Sequence, residues 1–384
     1  MFAVMPLAAV TRNPLAGITV GHEDIQEPGA QVYPVALSHT TAAAHAGTHT
    51  AACGIGVYRG NLMPGLTGEI FVCDPTAQLV TRNKLVPKGA SFEAVRIGKG
   101  RDFLVSGDEW TRPVQVRNGP DGALYICDMY RRFIDHARFF PEDFSKSHYM
   151  RAGFDQGRIW RLVPKGHKNV PPKALPADDT AALVALLAHE NGWQRTEAQR
   201  LLVEKQDKAA VPILTKLLAS SPAPKTAAHA MWTLAGLDSL KPEMVRPLFA
   251  SSTDPGLLEN ALLASLQLGF AKELAAPITA AMGKNAHRMD FLAIALDPGL
   301  ALSPETLATL VMKSPEDPWL RKAMMASTPD LVTGTLLSLL KNPEFLKLPA
   351  ATTSPVLTDF ARLSAARGNL PELSSVLSEL SGEP

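Results

Sequence analysis

The chain is poor in the residues that hold covalent cofactors and metals. Its three cysteines, Cys53, Cys73 and Cys127, make no C-x-x-C or C-x-x-C-H spacing, which excludes covalent haem attachment and zinc-ribbon sites within it. There is no G-x-G-x-x-G, G-x-x-x-x-G-K-[ST], H-E-x-x-H or G-x-S-x-G. Nicotinamide, nucleotide-phosphate and serine-hydrolase chemistry therefore have no foothold. No apolar run approaches the roughly 18 residues that a membrane span needs. A net charge of +1 gives no electrostatic argument for nucleic acid or a membrane surface. The opening MFAVMPLAAV has no basic residue before its apolar stretch, so it is no clear signal peptide; a translation start or a fragment edge inside a larger gene fits it better.

What is present is concentrated in Ser106 to Arg131. Val114 and Val116 alternate with Gln115 and Arg117, the period of a half-buried strand. Asn118-Gly119-Pro120-Asp121-Gly122 is a dense turn signal, and Ala123 to Cys127 reads as the next strand. That strand ends in Asp128-Met129-Tyr130-Arg131, an acid, a phenol and a guanidinium within four residues. Strand, tight turn, strand and polar cluster is how propeller blades carry sites near their channel.

SGDEW-x-RPV, GPDGALY-x-x-DMYR, His136 and GRIWRLVP (157–164) together resemble the planctomycete- and verrucomicrobial-type proteins named membrane-bound dehydrogenases. AACGIGVYRG (51–60), GEIFVCDPTAQLV (68–80) and NGWQRTEAQRLLVEKQDKAAVP (191–212) fit the same pattern, so the resemblance covers roughly residues 30 to 270. It implies a propeller similar to the soluble glucose/sorbosone dehydrogenases, then HEAT-like helical repeats, often followed by a c-type haem domain. It implies oxidation of a sugar or other alcohol, a pyrroloquinoline quinone-like cofactor or haem c as electron acceptor in the parent, and a periplasmic or membrane-associated setting. The chain departs from the pattern in beginning mid-propeller, in carrying Thr111 where an aromatic residue is expected, and in lacking a haem-attachment motif.

Composition changes near residue 170. The expected organisation is an irregular segment 1–29, a partial β-propeller over 30–167, a Pro-rich linker 168–177, and an α-solenoid of short HEAT-like repeats over 178–384. Short β-rich runs such as Glu69 to Val72, Phe92 to Arg96 and Arg158 to Leu162 mark the first part, and a short helix is expected within Tyr130 to Tyr149. In the second part, Asn191, Pro222, Asp254, Asn285 and Asp317 each open a helical run, 31 or 32 residues apart. DPGLLENALLAS (254–265) and DPWLRKAMMAS (317–327) are the same element with one residue lost. Asx or Pro at these points suits helix N-caps and first turns, and paired helices at a fixed period read as a solenoid. A sixth unit over 352–367 and 371–380 closes the array.

Candidate chemistry lies in the β part. Asp128, Tyr130, Arg131 and His136, with Arg112, offer the base and the cation that alcohol oxidation needs. The competing reading is a structural ion pair of Asp128 with Arg131, with Arg112 bonding loop carbonyls. His39, His45 and His49 form a second cluster. His45-x-x-x-His49 would align two imidazoles on a helix, but Gly47 and the threonines argue for a loop, which would let His49 face the channel. No metal ligand set is assigned. Cys53 and Cys73 flank an expected hairpin and would meet across it. A disulfide in an exported protein and buried free thiols are both open, the latter above all for Cys127. Trp193, Trp232 and Trp319 read as packing residues, and His189, His229 and His287 as structural.

Two functions follow. One is a fragment of a quinoprotein-type sugar/alcohol dehydrogenase, inactive by itself. Its partners would be the missing blades or parent chain and a cytochrome c domain or protein held by the repeats. The other is a non-catalytic propeller/HEAT scaffold.

Overall fold

Strands form where two-residue alternation runs, and they stop where Gly, Pro and Asx interrupt it. The computed structural model describes residues 31–35, 48–49, 51–98, 100–134, 136–221, 223–284, 287–296 and 299–381. Antiparallel sheets occupy the N-terminal part, and the C-terminal half is helical.

Two compact units divide the chain. One holds Glu93–Leu201 with the described residues of Gly21–Val86; the other holds the helices from Leu202 onward with Pro87–Phe92. β1 (Cys53–Val57), β2 (Ile70–Asp74), β3 (Leu79–Lys88) and β4 (Ser91–Arg96) pair in sequence order, and β5 (Leu104–Val105) pairs with β3; all but the end of β3 and the start of β4 belong to the first unit. A second antiparallel sheet runs β6 (Pro113–Asn118), β7 (Leu124–Asp128), β8 (Arg158–Leu162). Between β7 and β8 lie a single 3₁₀ turn (Ala137–Phe139) and the short helix α1 (Glu142–Ser147), where a helix was expected.

The sheets share a core. Tyr58, Phe71, Cys73 and Val80 from one meet Val116, Leu124 and Ile126 from the other, all 1% exposed or less. Each such side chain contributes about 1.5–3 kcal/mol by burial, so this layer rather than the sheet edges holds the unit together. The sheets approach closely because β1 carries glycines. A Cβ on Gly54 (φ +55°) would stand 2.1 Å from the Val114 carbonyl oxygen, and one on Gly56 2.9 Å from that of Val116.

Composition draws a boundary at 168–177, whereas contacts draw it inside α3 (Gly192–Lys205), which follows α2 (Thr180–Leu186). The reason is local bonding. Asn191 Nδ2 donates to the carbonyls of Gly119 (3.0 Å) and Pro120 (3.1 Å), and Gln194 Nε2 to Pro120 O (2.9 Å). The Gly192 amide donates to Arg59 O at 2.7 Å. The turn read from Asn118 to Gly122 thus seats the start of α3.

The second unit contains α4 (Ala210–Ser220), α5 (Pro224–Gly236), α6 (Pro242–Ser251), α7 (Pro255–Gln267), α8 (Ala275–Ala281), α9 (His287–Ala295), α10 (Pro304–Lys313), α11 (Pro318–Ser327), α12 (Val332–Leu340), α13 (Pro343–Leu346), α14 (Ala350–Arg367) and α15 (Leu370–Ser381). One row packs α5, α7, α9, α11 and α14 in succession, each against the next. Beside it α4 packs on α6 and α6 on α8, and α10 packs on α12 and α12 on α15. Helix starts follow the expected capping. Asp254 accepts from the Leu257 amide, Ser303 from Thr306, and Asp317 from Trp319 and Leu320, each with Pro in the first turn. Trp232 Nε1 donates to Asn260 Oδ1 at 2.8 Å, joining α5 to α7. Asp290, on α9, is buried and takes the Gly283 amide with both carboxylate oxygens (2.9 and 3.1 Å). Burial pushes its carboxyl up to about 6, against the opposing Gly283 amide, His287 and Lys313.

Candidate functional site

The polar cluster at the end of β7 is built from the backbone outward. Asp128 is 3% exposed. Its Oδ1 accepts from the amides of Arg112 (2.7 Å) and Tyr130 (2.8 Å), and its Oδ2 from the Trp160 indole (2.9 Å). These bonds hold Tyr130 at φ +48°, a conformation costly for a residue with a Cβ. Arg112 is fully buried, and its guanidinium spreads over loop carbonyls: Nε to Arg131 O (2.9 Å), Nη1 to Pro75 O (2.8 Å) and Thr76 O (3.4 Å), Nη2 to Arg132 O (2.5 Å). Arg112 is a staple between the end of β2 and the loop after β7.

The remaining members of this group turn elsewhere. Arg131 Nη2 donates to Phe154 O (3.2 Å), so the expected Asp128–Arg131 ion pair is replaced by amide and indole donors to the acid. Tyr130 carries the Arg158 guanidinium on its ring at 3.4 Å. His136 is exposed; its Nδ1 accepts from the Arg138 amide and caps the 3₁₀ turn. Sequence adjacency suggested one site, and the fold disperses it, because each polar group has a local backbone partner.

His49 has a different environment. His39 and His45 lie outside the described residues. His49 Nδ1 contacts Asp74 Oδ2 at 3.0 Å, with side-chain exposures of 17% and 0%. A carboxylate only accepts, so Nδ1 is the donor in this contact, and Nε2 faces Arg96 Nη1 at 3.5 Å. Asp74 Oδ1 accepts from the amides of Thr76 and Ala77, both 3.1 Å, which fixes the carboxylate at the end of β2. Arg96 pairs with Asp102, whose other oxygen takes the Tyr33 amide at 2.8 Å. The Arg96 Nε is buried without a partner among the described residues. A buried carboxylate behind an imidazole whose far nitrogen carries a lone pair is the geometry of a general base. Sequence reading missed Asp74, Arg96 and Asp102. The histidine that meets Asp74 stands 25 positions earlier, in no motif with it.

The thiols differ from one expectation. Cys53 and Cys73 are opposed across β1 and β2, yet no disulfide joins them; all three cysteines are free. Cys53 Sγ instead lies 3.7 Å from Val114 O. Burial, with smaller repulsion from Cys53, Cys127 and Asp74, pushes the Cys73 thiol up to about 12. Cys127, expected to be buried, is half-buried, because β7 turns it away from the face that Leu124 and Ile126 bury.

Residues 3–166 match a family described only as a domain of unknown function, DUF7133. No curated protein matches the chain. No solved structure matches it either. The match contains both polar clusters and ends before α2.

Among the described residues no set of three His, Cys, Asp or Glu is placed to hold a metal ion. None of the helices described is long and apolar enough to cross a membrane.

Proposed function

We propose that the β part is two blades of a propeller of the sugar/alcohol dehydrogenase type, that His49 is its base, and that the helices are short HEAT-like repeats serving a protein partner. The observation that carries this reading is the His49–Asp74 pair. His49 Nε2 would take the hydroxyl proton of an alcohol, Asp74 would stabilise the imidazolium, and Arg96 would steady the developing alkoxide. Five- and three-stranded antiparallel sheets that share a core support the blade reading, and two rows of helices with Pro/Asx starts at a fixed period support the repeat reading. The dehydrogenase resemblance, a periplasmic or membrane-associated setting and transfer to a cytochrome c domain belong to this same proposal.

A pyrroloquinoline quinone-like group does not fit the described residues by themselves. Arg112, the most buried guanidinium, is spread over backbone carbonyls, and no carboxylate set for a companion cation is present among them. Covalent haem has no attachment motif in the sequence.

A second reading, a non-catalytic scaffold, is favoured by the way Arg112 and Asp128 are spent on backbone. Dye-linked oxidation of a panel of sugars and primary alcohols by the full gene product separates the two. The enzyme reading expects turnover that falls at least about a hundredfold in His49→Gln, in line with the loss of a general base. Absence of turnover throughout the panel, or turnover that His49→Gln leaves intact, favours the scaffold.

A further inference from the structure

β8 is the last strand of its sheet and, among the described residues, pairs with β7 alone. Its free edge therefore offers backbone donors and acceptors to another chain. The strand is also unusually exposed for its composition: Ile159 at 70% and Trp160 at 42%.

The surface at the start of β8 has a specific chemistry. Arg158 lies over the Tyr130 ring at 3.4 Å and near the Trp160 ring at 5.7 Å. Tyr130 in turn packs on Trp110, centroids 5.8 Å apart. The loop before β8 closes on these rings: a Cβ on Gly153 would stand 2.7 Å from Tyr130 O and 3.2 Å from Trp110 Cζ3. It carries Arg151 over Phe154, at 5.5 Å, with Phe154 51% exposed.

Among the described residues neither Arg151 nor Arg158 meets a carboxylate, although both are exposed. Elsewhere arginines find acids: Arg82 with Glu69, Arg132 with Glu109, Arg161 with Asp121, Arg288 with Glu259. Asp155, beside this surface, is bonded by Gln156. Stacking fixes the plane of a guanidinium and leaves its donor edge open, so little side-chain entropy is lost when an anion arrives. Arg, Tyr and Trp are the residues that dominate protein interfaces.

We propose that the β8 edge is a docking site for an extended protein segment bearing carboxylates, which adds along β8 and sets its acids against Arg151 and Arg158. The open strand edge favours a polypeptide over an acidic polysaccharide, because backbone pairing recognises another backbone.

The test uses the whole chain and a fluorescein-labelled peptide of alternating Glu and Val, with the Lys/Val peptide and heparin as comparisons. The Glu/Val peptide is expected to bind, the Lys/Val peptide not. Binding should weaken at least about tenfold in Arg151→Glu/Arg158→Glu, the scale of one or two charge-assisted contacts. Arg158→Gln alone, which cannot stack as a cation, should weaken it severalfold and serves where the double variant melts early. No binding of the Glu/Val peptide, binding that these variants leave unchanged, or equal binding of the Lys/Val peptide overturns the proposal. Heparin bound in preference to the peptide, with the same loss in the variants, overturns it in favour of an acidic polysaccharide.

Discussion

The Asp128 carboxylate takes the backbone amide of Arg112 at 2.7 Å, while the guanidinium of the same Arg112 reaches carbonyls after β2 and after β7. One residue is thus held by its amide and holds with its side chain. Arg112→Ala would leave the carbonyls of Pro75, Arg131 and Arg132 without this donor in a buried setting. A loss of about 3–5 kcal/mol is expected, read by chemical denaturation. Asp128→Asn keeps the acceptor for the two amides and sets an NH₂ against the Trp160 indole N–H, so its cost should be smaller, about 1–3 kcal/mol.

Gly54 and Gly65 make a matched pair. Gly54→Ala sets a methyl 2.1 Å from Val114 O at a left-handed φ, whereas Gly65→Ala meets nothing within 4 Å. The first should cost more than about 2 kcal/mol and the second less than about 0.5 kcal/mol. Equal melting temperatures for the two variants would refute the close approach of the sheets at β1.

The Cys73 thiol should resist alkylation in the native chain. It is buried, and its thiolate is disfavoured because the pKa is pushed up to about 12. Iodoacetamide followed by peptide mapping should label Cys73 only after denaturation. A Cys53–Cys73 cross-linked peptide in the native protein would contradict the free-thiol state.

Asp290 gives a pH dependence of definite sign. Its folded carboxyl, at about 6, lies above the ordinary value of 3.8, so the folded state binds a proton more readily than the unfolded one. Stability from this group is therefore full below about pH 4 and is lost as pH rises to about 6, by roughly 3 kcal/mol. Asp290→Asn can still accept from the Gly283 amide. It should flatten that slope and raise neutral-pH stability, measured by urea denaturation from pH 4 to 7. An unchanged slope would refute the assignment.

Much of the fold was legible because its signals are local. Arg158–Leu162 forms the strand its β-branched and aromatic run suggests, and Asp254 and Asp317 cap helices where Asx-Pro stands. The close approach at Gly54 was not legible, since it depends on Val114, far along the chain. The site was legible only in its residue types. Arg112 bonds loop carbonyls, as the structural reading of the sequence has it, whereas Asp128 takes amides and an indole N–H in place of Arg131, which no motif displays. Asp74 escaped notice because its role comes from an imidazole brought to it by the fold.

If His49 is the base proposed above, Asp74 holds the proton on Nδ1 and Nε2 is unprotonated. Long-range ¹H–¹⁵N correlation spectra of the imidazoles, with His49 assigned by its disappearance in His49→Gln, read this directly. Proton on Nδ1 with Nε2 unprotonated is the expected result, with loss of that preference in Asp74→Ala. A ring protonated at Nε2, or one indifferent to Asp74→Ala, would contradict it.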